Sequence, residues 1–220
     1  MKLVFYSGGH EIENKNIDRL MLRLPHKSNL RMTYIPASSF DDDDFPNFIE
    51  HYQKMGVSDF LYFPVDIPFT KSKLALALKS DIIHLSGGNT FTFLFHLRES
   101  GMLEKLKGFV KRGGVLTGLS AGAIIMTESI RTAGYPRFDC DINYDNMRNL
   151  KAMKLVDFEI FPHYKNSKRY QKAFELFTKD SSKILYALPD GSGIICEGDK
   201  TTFVGKIFCF YRGKRHIIND

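Results

Sequence analysis

Gly118-Leu119-Ser120-Ala121-Gly122 sets a hydroxyl between two glycines at G-x-S-x-G spacing. A β-rich run, Gly114-Val115-Leu116-Thr117, comes before it, and the small apolar stretch 121–126 comes after it. A nucleophile elbow needs this strand–turn–helix layout, because flanking glycines let the backbone turn sharply and leave the Ser projecting from a strained corner. The Ala121 N–H, at the start of the next helix, is then placed to stabilise an oxyanion. The plain alternative is a tight structural turn. A second glycine loop, Ser86-Gly87-Gly88-Asn89-Thr90, also follows a strand-like run and opens a helix. Gly88 lets a backbone N–H approach a substrate carbonyl, which makes it the candidate second oxyanion donor; as structure alone the loop is a turn capped by Asn89. A third such end, Ser7-Gly8-Gly9-His10, offers a His with no evident partner.

Seven histidines compete for the role of base. His163 has the best placement, because Pro162 favours an extended Phe161 and carries the imidazole to the end of a strand. His26 and His51 are expected to face solvent, and His84 and His96 to be structural. Ser120, Asp190 and His216 also occur in the Ser, Asp, His order of an α/β-hydrolase esterase, an alternative reading.

The elements around these residues alternate. Strands are expected over residues 2–6, 31–35, 60–63, 82–85, 115–119 and 158–161. Helical spacing joins Ile17, Leu20, Met21 and Leu24; Phe45, Phe48, Ile49 and Tyr52; and Tyr170, Ala173, Phe174 and Phe177. Phe91, Leu94 and Phe95 suggest a further helix, and Leu103, Leu106 and Val110 one that stops at Gly113-Gly114. After Asp180, short runs separated by Gly and Asp turns predict an antiparallel meander. The expected fold is α/β, one domain over residues 1–220, with a mainly parallel sheet covered by helices. Ligands bind such sheets beyond the carboxyl ends of the strands, where all three glycine loops fall.

Composition removes other classes. With 43% hydrophobic and 25% charged residues the chain is too apolar for disorder, and it holds no long uninterrupted apolar run. The net charge of +6 is scattered, so nucleic acid is not an expected partner and neither is a membrane. Cys140, Cys196 and Cys209 have no metal-ligand spacing, so neither metal nor organic cofactor is expected. The start reads as a first strand rather than a secretion signal, giving a cytoplasmic expectation. Asp41 to Asp44 read as a solvated loop whose Asp44 caps a helix beginning Phe45-Pro46.

The elbow, the Gly87-Gly88-Asn89-Thr90-Phe91 loop, Pro162-His163-Tyr164 and Leu188-Pro189-Asp190-Gly191 occur together in an order that resembles the peptidase E family. That family comprises serine peptidases including aspartyl dipeptidase and the related cyanophycinases. The resemblance implies a flavodoxin-like three-layer sandwich related to class I glutamine amidotransferases, with Ser120 in place of their Cys and His163 as its base. Lys165 stands where an amidotransferase has Glu, which argues against amide transfer. The resemblance also implies hydrolysis of short peptides, including dipeptides with an N-terminal aspartyl residue, with Asn89 and Arg169 as substrate-binding residues. A homodimer is compatible with it.

The sequence departs from this pattern at the third catalytic residue. The acid expected shortly after the elbow is missing, because residues 130–136 contain none. Glu128, Asp139, Asp141 and Asp190 remain as candidates to orient His163, with Asp190 favoured by its match to an acidic position in the family. Lys165, Lys168, Arg169 and Arg131 are cations that could hold a substrate carboxylate. The missing acid also leaves open a non-catalytic peptide-binding protein on the same scaffold.

Overall fold

The computed structural model describes residues 1–40, 44–144 and 146–218. Asp41 to Asp43 of the aspartate run lie outside the described residues, and Asp44 is the first residue of a helix. Five parallel strands form the centre: β1 (Lys2–Tyr6), β2 (Arg31–Ile35), β3 (Asp59–Tyr62), β4 (Ile82–Leu85) and β5 (Val115–Leu119), in the order β3-β2-β4-β5-β1. Their side chains alternate between two cores. Leu3, Phe5, Ile83, Leu85 and Leu116 face one, while Val4, Tyr6, Ile82 and Val115 face the other. A sheet buried on both faces needs such continuous apolar runs, which is why these strands are legible as sequence.

Helices α1 (Glu11–Arg23), α2 (Asp44–Lys54), α3 (Lys71–Ala77), α4 (Thr90–Glu99), α5 (Met102–Lys111) and α6 (Ala121–Ile125) connect the strands or pack on them. Ile17 and Met21 of α1 are buried as the spacing predicts, and Leu20 turns toward solvent. On α4 the core takes Phe91, Phe93, Leu94 and Leu97, while Phe95 lies off that face and is exposed. Helix α3 has no long apolar period to reveal it; Thr70 caps it by accepting from the Lys73 N–H at 3.2 Å.

The last third differs from expectation in two ways: the strand near 158–161 is not part of the main parallel sheet, and the segment after Asp180 is not a single meander. Strand β6 (Glu159–Phe161) belongs to a second, four-stranded sheet, paired parallel with β7 (Leu185–Ala187). Strand β8 (Gly193–Glu197) returns to the main sheet antiparallel to β1, and β9 (Lys200–Val204) extends it. Strands β10 (Ile207–Tyr211) and β11 (Lys214–Ile218) then complete the second sheet. The tail is antiparallel as expected, but its strands are shared between two sheets. Gly191, at φ +74, provides the turn that takes the chain from one to the other. Helix α7 (Lys168–Phe177) covers the second sheet, packing Tyr170 and Phe174 against Phe161, Phe208 and Phe210.

Candidate active site

Ser120 stands at the end of β5 with φ 50 and ψ −107, a backbone state costly for any residue with a side chain, of order 1–3 kcal/mol. The neighbouring glycines make this state reachable. A Cβ on Gly118 would lie 2.4 Å from the Gly122 carbonyl carbon, and one on Gly122 would lie 2.5 Å from the Leu85 oxygen. The turn therefore needs both, as the elbow motif requires. The Ser120 N–H donates to the Tyr6 carbonyl at 3.1 Å, tying the elbow to β1.

His163 follows β6 and Asp190 follows β7, so both side chains come from the second sheet to meet a Ser from the first. The imidazole Nε2 lies 2.9 Å from Ser120 Oγ, and Nδ1 lies 2.7 Å from Asp190 Oδ1. About half of each His and Asp side chain is open to solvent, 47% and 48%, so this pair is worth little to stability and acts chiefly through direction. With Nδ1–H donating to Asp190, the Nε2 lone pair is free to accept from the Ser120 hydroxyl.

The other candidate acids are engaged elsewhere. Glu128 pairs with Lys154 at 2.8 Å and with Lys183. Asp139 accepts from the Tyr170 hydroxyl, and burial together with this bond pushes the Tyr170 pKa up to about 12. Asp141 accepts from the Thr90 N–H at 2.8 Å, at the start of α4.

Ser7 and Gly8, at the end of β1, carry no assigned role in the sequence reading, yet they seat the histidine. Buried Ser7 Oγ donates to the Leu188 carbonyl at 2.7 Å and accepts from the His163 N–H at 2.8 Å. A Cβ on Gly8 would fall 2.2 Å from His163 Cε1 and 2.6 Å from Asp190 Oδ1. The sequence marks this strand end as glycine-rich but holds nothing nearby that ties Ser7 or Gly8 to His163.

Gly88 has φ +131, and a Cβ there would meet the Ala37 Cβ at 2.7 Å, so only Gly fits this loop. Ala121 opens α6, whose first N–H groups have no partner within the helix. Asn89 caps α4: its Oδ1 accepts from the Thr92 N–H at 3.0 Å and its Nδ2 donates to the Ile142 carbonyl at 2.8 Å. Arg169 lies with its guanidinium 3.6 Å from the centroid of the Phe138 ring. Arg131, one of the cations that could hold a substrate carboxylate, forms a forked ion pair with buried Glu159 and lies over the Phe177 ring at 4.5 Å. His51, expected to face solvent, bonds buried Asp18 at 2.9 Å. That hydrogen bond is the main cause of its raised pKa. His216 lies on β11, an edge strand of the second sheet, opposite Cys209.

Two recesses meet at Ser120 and His163. One, about 590 Å³, is lined by the Gly87–Gly88 loop, Tyr34, Ala37 and Tyr144. The other, about 130 Å³, lies toward Thr90, Thr132, Asp139 and Asp141. Among the described residues, no group of three or more His, Cys, Asp or Glu is placed to hold a metal ion, and no helix is long and apolar enough to cross a membrane.

A strained Ser thus lies between a strand end of an α/β sheet and a short helix, facing a His–Asp pair. The model of peptidase family S51 matches residues 3–204, and the chain belongs to that family. It is 32% identical over 148 residues to a peptidase E of Salmonella heidelberg (strain SL476), covering 60% of this chain and 62% of that one. It is 30% identical over 142 residues to a peptidase E of Actinobacillus pleuropneumoniae serotype 5b (strain L20), covering 60% and 58%. These matches thus span about three-fifths of the curated relatives' length. In fold, the chain resembles a candidate peptidase E from Listeria monocytogenes EGD-e, with TM-score 0.73, 22% identity and coverage of 92% and 97%. A peptidase from an acI-B1 Actinobacterium gives 0.71, 13%, 99% and 93%.

Proposed function

We propose that this chain is a serine peptidase acting on short peptides, with Ser120 as nucleophile, His163 as base and Asp190 as the group that orients it. The observation that carries the reading is the continuous hydrogen-bonded path from Ser120 Oγ through the imidazole to Asp190, at 2.9 and 2.7 Å. His163 Nε2 takes the Ser120 proton as Oγ bonds to the scissile carbonyl carbon. The carbonyl oxygen gains negative charge and is held by the N–H groups of Gly88 and Ala121. The protonated imidazole then gives its proton to the leaving amine, and the C–N bond breaks. Water, deprotonated by the same imidazole, cleaves the acyl ester and restores Ser120. Recesses of about 590 and 130 Å³ suit a few residues around the scissile bond rather than a folded chain.

An aspartyl preference, which the resemblance implies, would need Arg169 to leave the Phe138 ring and reach the cleft. Among the described residues, the lining of both recesses contains no Lys or Arg. The esterase reading is not favoured, since His216 lies on the edge strand of the other sheet while His163 already contacts Ser120. The test is covalent labelling with a fluorophosphonate. The expected adduct is on Ser120, lost in Ser120→Ala and strongly slowed in His163→Ala; an intact folded protein that never labels at Ser120 overturns the reading.

A further inference from the structure

The peptide unit between Gly87 and Gly88 carries one of the two N–H groups that would hold the oxyanion. Adjacent glycines leave such a unit free to turn over, since neither restricts the backbone as a side chain would. The unit is trans, so its C=O, from Gly87, and its N–H, from Gly88, point in opposite directions. One face offers a donor to a developing negative charge, and the other offers a carbonyl oxygen that repels it. Ser86 makes a fixed contact with that carbonyl. It is buried, and its Oγ accepts from the Ala37 N–H at 2.8 Å, just beyond β2. Its own proton is then free for the Gly87 carbonyl, which it reaches at 2.9 Å. Among the described residues the Gly88 N–H has no hydrogen-bond partner, and Gly88 lines the larger recess together with Ser120 and His163. The Ser86 backbone is held as well. Its N–H donates to the Ile35 carbonyl at 3.0 Å, and its carbonyl accepts from the Gly122 N–H at 3.2 Å, in the first turn of α6.

We infer that Ser86 is a positioning residue for the oxyanion site: its hydroxyl anchors the Gly87 carbonyl and so keeps the Gly88 N–H turned toward Ser120. The inference rests on the reading of Ser120 as nucleophile and Gly88 as an oxyanion donor, and adds a residue that acts through the loop rather than on the reacting atoms. Ser86 also links the two donors, since its side chain holds the Gly88 unit while its carbonyl holds the end of α6 that begins with Ala121. Donors fixed in advance of the reaction cost nothing to reorganise when charge develops. Without the hydroxyl the Gly87 carbonyl loses its anchor and both faces of the unit become accessible, while β4 and the elbow keep their backbone bonds.

The experiment follows fluorophosphonate labelling of Ser120 against pH in the full chain and in Ser86→Ala, the phosphoryl oxygen of the reagent standing where the oxyanion would. Deleting an oxyanion donor outright costs about 10²–10³ in rate, so loss of its anchor should lower the plateau rate at least about tenfold. The shape of the pH profile, which reports the base, should stay that of the parent. Ser86→Cys, a weak donor of similar shape, should fall between parent and Ser86→Ala, and serves as the test if the alanine chain does not fold. Ser80→Ala is the control: it removes another buried hydroxyl, which lies 2.7 Å from Thr33 Oγ1 just before β4, and should leave the plateau near the parent's. An unchanged plateau in the Ser86 variants, an equal fall in Ser80→Ala, or a fall that comes with a shifted pH profile overturns the inference. A folded parent chain that never labels refutes the nucleophile, and the inference with it, so the two failures give different results.

Discussion

Gly8→Ala offers a sharp test of how the proposed catalytic pair is seated. Gly8 has an ordinary backbone conformation, so an alanine there meets its difficulty only through its Cβ. That atom would stand 2.2 Å from His163 Cε1, and ordinary contact begins at 3.4 Å, so the imidazole must withdraw by about 1.2 Å. A displacement of about 1 Å at the reacting groups can cost about 10²-fold in rate. The same displacement should be nearly silent in stability, because a half-exposed His–Asp pair is worth about 0–1 kcal/mol. The assay is the rate of Ser120 labelling by a fluorophosphonate, with urea unfolding in parallel. Gly134→Ala is the control: its Cβ would rest 3.5 Å from Phe91 Cζ, an ordinary contact, at a residue that lines neither recess, and labelling should stay near the parent rate. The reasoning fails if Gly8→Ala labels at the parent rate, or if it loses several kcal/mol of stability and so acts through the fold.

Other outcomes follow from the same geometry. Asp190→Asn should lower kcat by about 10⁴-fold while leaving short-peptide binding in place, because the amide favours the wrong imidazole tautomer; steady-state kinetics and calorimetry read the two effects. Arg131→Met should cost about 3–5 kcal/mol in urea unfolding by leaving buried Glu159 unpaired; a substrate role for Arg131 predicts no loss of stability. Burial lowers the His84 pKa from 6.5 to about 4, so the folded state resists its protonation. That contribution is complete above pH 6.5 and is lost as pH falls toward 4, by about 3 kcal/mol in all; a His84→Phe variant should show a flatter acid limb in urea unfolding. His51 runs the other way, since its raised pKa gives stability that is present below pH 6.5 and lost as pH rises through the folded value.

What was legible in the sequence was whatever a short window could hold. The central strands are apolar on both faces, so they read as runs, and four of the five keep the expected bounds, with β3 shifted by one residue. The elbow was legible because its glycines and its Ser are contiguous, and His163 because Pro162 fixes its approach. Partnership across the fold was not legible. Arg131 resembles any exposed cation until Glu159, 28 residues away, is buried beside it. His51 resembles a solvated helix residue until buried Asp18 lies against it. Ser7 gave no warning, because its partners are 156 and 181 residues distant.

The proposed catalytic group is assembled from strand ends of two sheets, and this accounts for the missing acid after the elbow. With the orienting carboxyl supplied from the end of β7, residues 130–136 have no duty toward the imidazole. They form instead a tight turn whose Arg131 pins Glu159 of β6, and so holds in place the strand that delivers His163. The next residue, Thr132, lines the small recess. On that proposal, an acid at the end of β7 does more than orient a base, since it leaves the segment after α6 free to pair with the second sheet and to line the small recess. On this argument, restoring an acid there by Thr132→Asp should not rescue Asp190→Asn, because the segment is anchored toward Glu159 rather than toward Nδ1. Recovered labelling of Ser120 in that double variant would show that the two positions are interchangeable and would sink the argument.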